Sequence, residues 1–238
     1  MPSPVGDHIL FDDFHQVKAA GGAACSSGPW VITAESSSAY SNADLASGVL
    51  RLAVHSDCAD AIMVAGAKTN WRVSDGAIDA LFRVKIEDLT DIGVSMGFTD
   101  ANTEACLIPF TVAGTTLTTT ASTAIGFVID TTSADAGNWR TAYVDDDVDG
   151  SLVCTCNSPT QGKYQTFRVR LEDNGCGNQV RAEFSINCNE YYEVRTATID
   201  RDALLTPFVG AMNSCGSAVV NVDIDYIYVA GSRVGDCG

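Results

Sequence analysis

Apolar and polar positions alternate with a period of two along most of this chain. Between Ile78 and Ile86 one face reads Ile78, Ala80, Phe82, Val84 and Ile86. The other carries Asp79, Arg83 and Lys85, with Leu81 the exception. Such alternation predicts a strand with one buried and one wet face. Phe167, Val169 and Leu171 alternate with Thr166, Arg168, Arg170 and Glu172, and Val180, Ala182, Phe184 and Ile186 alternate with Arg181, Glu183 and Ser185. Between these two runs the turn formers Asp173-Asn174-Gly175-Cys176-Gly177-Asn178 predict an antiparallel hairpin. Near the end, Val220, Val222, Ile224, Tyr226 and Tyr228 are expected on one face, with Asn221, Asp223 and Asp225 opposite and facing solvent.

Further strands are expected over Trp30 to Glu35, Val49 to Val54, Ile92 to Phe98, Ala124 to Asp130, Trp139 to Val144, Tyr192 to Thr198 and Pro207 to Met212. The threonine-rich stretch Gly114 to Thr123 suits an exposed strand or hairpin, because threonine favours the pleated surface. No segment holds a helical period, and only Asp202 to Leu205 suits a single turn. About a dozen short strands joined by turns predict an all-β fold, a jelly-roll sandwich of two antiparallel sheets. One domain over residues 9–232 is expected, with an N-terminal arm over 1–8 and a tail over 233–238. Pro2 and Pro4 keep the arm out of a central strand, since proline lacks the ladder donor.

Charge narrows the choice of partners. The 238 residues carry 30 acidic and 14 basic side chains, a formal net charge of −16. That surface repels nucleic acid and anionic membranes, and its simplest use is solubility. No run approaches the ~20 apolar residues that span a bilayer. The start, Met-Pro-Ser-Pro-Val-Gly-Asp, has neither a basic region nor an apolar core, so no signal peptide is expected.

Nine cysteines leave at least one thiol unpaired within the chain. Cys176 and Cys188 flank an alternating strand whose length places them beyond disulfide reach. Most of the nine are expected as small buried hydrophobes, and a minority of disulfides formed in an oxidising setting is the alternative. Cys154 and Cys156 are the one close pair, and zinc held by them with two distant cysteines is conceivable, with no histidine near them in sequence.

The sharpest local motif is Asp145-Asp146-Asp147-Val148-Asp149-Gly150. Asp145, Asp147 and Asp149 followed by glycine match the first half of a calcium loop, whose alternate carboxylates converge on Ca2+. The twelfth position, where a bidentate glutamate is needed, holds Cys156, and a solvated acidic turn is the other reading. Asp223 and Asp225 have the spacing of a glycosidase pair but lack an apolar pocket setting in sequence. No Gly-x-Ser-x-Gly elbow occurs, and His8, His15 and His55 sit in no recognisable nucleophilic motif. No catalytic set and no required cofactor follow from these patterns. Trp30, Trp71, Trp139, Tyr40, Tyr143, Tyr191 and Tyr192 suit either core packing or stacking on sugar rings.

Phe11-Asp12-Asp13-Phe14 and Val222-Asp223-Ile224-Asp225-Tyr226-Ile227-Tyr228-Val229 resemble the first and last strands of concanavalin A-like lectin/glucanase domains. The Glu-x-Asp-x-x-Glu strand of that family's laminarinase-type enzymes is absent here. A narrower resemblance, to tailed-phage virion proteins of this fold, covers Asn70-Trp71 with Ile78 to Ile86, Gly97-Phe98-Thr99-Asp100 and Ala124-Ile125-Gly126-Phe127. It extends to Gly162-Lys163-Tyr164-Gln165-Thr166-Phe167-Arg168-Val169 and Leu204-Leu205-Thr206-Pro207. The resemblance implies a non-enzymatic particle component that decorates or cements a phage capsid, with the major capsid protein or other virion proteins as partners. A carbohydrate-binding module contacting cell-surface glycans is the alternative, and a glycan hydrolase or lyase comes third.

Overall fold

Strands that alternate need one partner layer, whereas strands apolar on both sides need two. Both kinds are present, and they sort into different sheets. The computed structural model describes residues 8–14, 25–35, 38–44, 48–132, 137–175, 177–188 and 190–231. The strands begin with β1 (His8–Asp12), β2 (Cys25–Ser27), β3 (Trp30–Ala34), β4 (Ala39–Asp44), β5 (Val49–Val54) and β6 (Ala61–Gly66). Then come β7 (Ile78–Ile86), β8 (Ile92–Thr99), β9 (Phe110–Ala113), β10 (Thr116–Thr119), β11 (Ala124–Asp130) and β12 (Arg140–Asp145). The last are β13 (Val148–Asp149), β14 (Val153–Cys154), β15 (Tyr164–Asp173), β16 (Val180–Ile186), β17 (Tyr191–Arg195), β18 (Thr206–Asn213) and β19 (Val220–Gly231). Among the described residues the only helical turns are 3-10, at Val73–Asp75 and Glu104–Cys106.

One sheet runs β17-β16-β15-β7-β19-β5-β4, with β1 also paired to β19. The other runs β13-β12-β11-β8-β18-β6-β3-β2, with β14 also paired to β12. In the first sheet, β7 and β15 bury every second residue and leave their charged face half exposed. In the second, β6 and β8 are buried at every position, and β11 and β18 at nearly every one. The inner faces of the two sheets share one core, in which Phe127 meets Phe167 at 5.2 Å and Phe184 at 5.5 Å between ring centroids. Trp139 stacks edge-on to Phe167 at 4.6 Å and donates its indole N–H to Gln165 Oε1.

The outer face of the second sheet carries a further layer. Leu107, Ile108, Phe110, Val112 and Leu117 pack on Ala61, Met63, Ala65, Val128, Val144 and Phe208 to form a separate apolar cluster. The β9–β10 hairpin belongs to this layer, so the threonine-rich segment is a hairpin with one wet and one buried face. Close approach needs small residues beneath it. Gly97 and Gly126 face each other across the β8–β11 ladder, and a Cβ on either would overlap the other strand's backbone. This covering layer leaves the outer face of the first sheet as the open one.

Several expectations need correction. A bulge in β19 between Ile224 and Tyr226 flips the remaining alternation. Ile227 and Val229 enter the core, and Tyr226 and Tyr228 move to the outer face beside Asp223 and Asp225. β6 and β4 were not among the expected strands: β6 lacks alternation because both faces are buried, and β4 is an edge strand with few apolar residues. His8 opens β1 and so belongs to the sandwich; residues 1–7 and the tail over 233–238 lie outside the described residues. Of the span Asp202 to Leu205 only Asp202 lies in a turn, which begins at Arg201, and Leu205 bridges to Trp71.

The cysteine expectation is also revised. Cys58 and Cys215 form a disulfide between the β5–β6 and β18–β19 loops. Cys154, Cys156 and Cys188 are exposed and Cys106 is half-buried, so none of the described free thiols is a core residue. Cys156 and Cys188 have φ near +56°, a turn conformation that keeps a side chain out of the strand interior.

Candidate functional site

The antiparallel register lines up one residue from each of five neighbouring strands on the open face. Tyr164 of β15 pairs with Lys85 of β7, Lys85 with Asp223 of β19, Asp223 with Arg51 of β5, and Arg51 with Ser41 of β4. Around this row lies a depression of about 380 Å³ lined by Ala43, Val49, Arg51, Lys85, Tyr164, Asp223 and Asp225. Its size falls in the range of small-ligand sites.

Asp223 forms the floor. It is only 1% exposed, contrary to the solvent-facing position that its strand pattern predicts, because cationic side chains close over it. Arg51 donates from Nε and Nη2 to its two carboxylate oxygens at 2.7 Å each, and Lys85 Nζ lies 3.0 Å from Oδ2. Both cations also reach Glu87, at 3.0 and 2.6 Å. Burial opposes ionisation of Asp223, but the hydrogen bonds and charges of Arg51 and Lys85 outweigh it, so its pKa lies below the ordinary value. Lys85 is likewise opposed by burial and held above its usual pKa by Glu87 and Asp223. Burial raises the Tyr164 phenol, so at neutral pH it keeps its proton and can donate. Its ring lies 5.1 Å from both the Arg83 guanidinium carbon and Lys85 Nζ.

The signs of these shifts set a pH prediction. A depressed carboxylate contributes stability that is fully present above its unfolded pKa, about 3.9, and is lost as pH falls through the folded value. Asp223→Asn should therefore cost about 2–3 kcal/mol at pH 7, toward the low end for a buried pair because Arg51 and Lys85 are partly solvated. Denaturant midpoints of the two proteins should converge as pH drops below about 4. A gap that stays constant down to pH 3 would refute the assignment of this pair.

Beyond the depression, the bulge-shifted tyrosines meet β1. Phe11 pairs with Tyr228 and lies 6.5 Å from its ring and 6.2 Å from that of Tyr226, in tilted geometry. Phe11 is 57% exposed, and the two tyrosines are half-buried. This gives an aromatic strip next to a polar row on one sheet face. Arg83 pairs with Asp225 at 3.3 Å between the two. Farther along the face, Arg168 pairs with Asp79, and Arg170 and Arg181 pair with Glu172 and Glu183. The six cations Arg51, Arg83, Lys85, Arg168, Arg170 and Arg181 thus balance the six acids Asp79, Glu87, Glu172, Glu183, Asp223 and Asp225. Among the described residues these ion pairs leave the face balanced in a chain of net charge −16.

The other residues singled out in the sequence fall apart in space. Asp145 ends β12 and Asp149 ends β13, on either side of a two-residue hairpin turn in which Asp146 and Asp147 both have positive φ, the backbone that favours aspartate and glycine. Asp145 accepts from the Asp200 N–H, Asp147 from the Ser122 hydroxyl and Asp149 from the Thr119 hydroxyl. Their ligand atoms are not among the close groups that the described residues form. Among the described residues the His, Cys, Asp and Glu side chains that do gather are His55, Asp57 and Asp60, a spacing the sequence reading passed over. Cys154 and Cys156 hold their sulfurs 3.9 Å apart at the surface, with no third ligand among the described residues. Trp30, Trp71, Trp139 and Tyr40 are core residues, Tyr143 and Tyr191 are half-buried, and Tyr192 alone of that group is well exposed. His8 lies in β1, and His15 falls outside the described residues. A second cleft, of about 320 Å³, lies between β1 and the Gly66 to Trp71 segment and is mostly apolar.

No protein-family model matches the sequence, and no curated protein matches it. Solved structures do match the fold. The carbohydrate recognition domain of Emp47p is 11% identical with a TM-score of 0.60, covering 93% of this chain and 94% of that one. Peanut lectin is 11% identical with a TM-score of 0.61, covering 97% of this chain and 100% of its own. An endo-β-1,4-glucuronan lyase from Trichoderma reesei is 10% identical with a TM-score of 0.56, covering 95% and 96%. The chain therefore has the concanavalin A-like β-sandwich fold.

Proposed function

We propose that this protein is a carbohydrate-binding domain that recognises neutral glycans on the open face of its first sheet. The observation that carries the reading is the aromatic strip of Phe11, Tyr226 and Tyr228 beside the polar row of Tyr164, Lys85, Asp223 and Arg51. Sugar rings present apolar C–H faces and a rim of hydroxyls. Aromatic rings meet the former, and planar charged groups meet the latter with hydrogen bonds. Lectins and a carbohydrate recognition domain among the similar structures support this reading, although a fold by itself does not fix a ligand.

Charge selects the glycan class. Each cation at the depression is already paired with a carboxylate, so a uronate would find no uncompensated partner. This separates the face from what an acidic polysaccharide, such as a lyase substrate, requires. The Cys58–Cys215 bond suits a chain that matures outside a reducing cytoplasm, where glycans are displayed. The similar structures give no support to the capsid-decorating role implied by the narrower resemblance.

A panel of immobilised neutral and acidic glycans tests the reading. Retention on one or more neutral glycans is expected, with little dependence on ionic strength. Phe11→Ala and Tyr228→Ala should each weaken it at least tenfold, about 1.4 kcal/mol. Tyr192→Ala, exposed on β17, should leave it unchanged. Retention confined to uronate-containing glycans, or indifference to Phe11→Ala and Tyr228→Ala, would overturn the assignment.

A further inference from the structure

The loop from β5 to β6 packs a histidine and two aspartates into six residues. One ligand atom from each of His55, Asp57 and Asp60 lies within 4.8 Å of the other two. His55 Nδ1 is 3.3 Å from Asp57 Oδ2 and 3.8 Å from Asp60 Oδ2. Asp60 is only 9% exposed, yet its Oδ2, aimed at the imidazole, makes no hydrogen bond, and neither does the buried His55 Nδ1. Buried polar atoms without a hydrogen bond cost free energy, and a cation held between His55 Nδ1 and Asp60 Oδ2 would satisfy both. Nitrogen and oxygen ligands at about 2.0–2.2 Å around a tetrahedral ion stand roughly 3.4 Å apart. The imidazole is 3.3 and 3.8 Å from the two carboxylates, so small side-chain rotations would close the set on an ion.

The loop is also held in shape without an ion. The Cys58–Cys215 bond fastens its middle to the β18–β19 loop. Asn213 donates its side-chain amide to the His55 carbonyl and its backbone N–H to the Asp60 carbonyl, and accepts from the Ala59 N–H. Ser38 Oγ accepts the His55 N–H. Ligands fixed in this way lose little freedom on binding.

We propose that His55, Asp57 and Asp60 form a binding site for a first-row divalent transition metal, zinc or manganese in chemical class. The imidazole disfavours calcium and magnesium, which take oxygen ligands, and the absence of a thiolate disfavours soft ions. Asp57, 69% exposed on its side chain, forms the outer wall and leaves an open side where water or a ligand oxygen completes the coordination. The site lies at the end of β5, four residues beyond Arg51, and does not depend on the glycan reading.

Calorimetric titration of the full chain with Zn2+, in a Cys154→Ser/Cys156→Ser background that removes the surface thiol pair, tests the proposal. One saturable site is expected. Asp57→Asn and Asp60→Asn should each weaken it at least tenfold, whereas Asp147→Asn/Asp149→Asn in the acidic turn should not. Because Asp57 is exposed, its variant stays informative should Asp60→Asn impair folding. Mn2+ should compete for the site, and Ca2+ should not. Absence of saturable binding would show that the cluster is an ion pair alone and overturn the proposal. So would binding indifferent to Asp57→Asn, or a site that prefers calcium.

Discussion

Replacing Cys58 and Cys215 together by serine should lower the unfolding free energy by about 3–5 kcal/mol. The bond closes a loop of 157 residues, and tying such distant points together removes much of the freedom of the unfolded chain. Chain-entropy reasoning puts a loop of this length near 5 kcal/mol, and measured values are commonly lower. The bond also joins the two sheets at one end of the sandwich, through the β5–β6 and β18–β19 loops, so its loss frees both connections together. For a chain of this size the melting temperature should fall by about 10 °C, and wild type in excess reductant should show the same loss. A double variant whose denaturation midpoint matches wild type would show that the loops are held by their hydrogen bonds alone.

Phe127→Ala should cost a similar amount, about 3–5 kcal/mol. Phe127 points inward from β11 and touches Phe167 and Phe184 of the opposite sheet edge-on. Its neighbours are anchored on separate strands, so they cannot collapse into the space a ring leaves, and the cavity adds to the lost transfer free energy. Phe127→Leu, which refills most of that space, should cost only about 1–1.5 kcal/mol. Urea unfolding distinguishes the two, with an unchanged slope expected for both. Equal costs for alanine and leucine would mean that the ring is not packed as described.

Much of the sandwich was legible in the sequence because one wet face per strand writes a two-residue period. The runs at Ile78–Ile86, Val49–Val54 and Val180–Ile186 match their strands end to end. β6 was missed for the converse reason. Buried on both faces, Ala61–Gly66 carries no alternation, and six small or apolar residues do not announce a strand. The aspartate run at 145–149 shows the same limit in another form. Its alternate spacing suits a calcium loop and a hairpin turn equally, and the left-handed backbone at Asp146 and Asp147 that makes the turn is not written in that spacing.

The candidate site was harder to read. Phe11, Asp223, Asp225, Tyr226 and Tyr228 all stood in the motifs that suggested the fold, yet one inserted residue in β19 decided which of them face outward. A bulge changes no composition and leaves little trace in a pattern of period two, since either phase buries apolar groups. Tyr164, Lys85, Asp223 and Arg51 meet through pairings between residues 79 to 172 positions apart, as do the two cysteines of the disulfide. By itself, then, the sequence determined the all-β class, the antiparallel hairpins and the acidic character of the surface, because these follow from local periodicity, turn chemistry and counting. Only the tertiary structure decided which sheet face stays open, where the cations balance the acids, and which histidine and aspartates converge, because each depends on strand order and register, which local pattern does not encode.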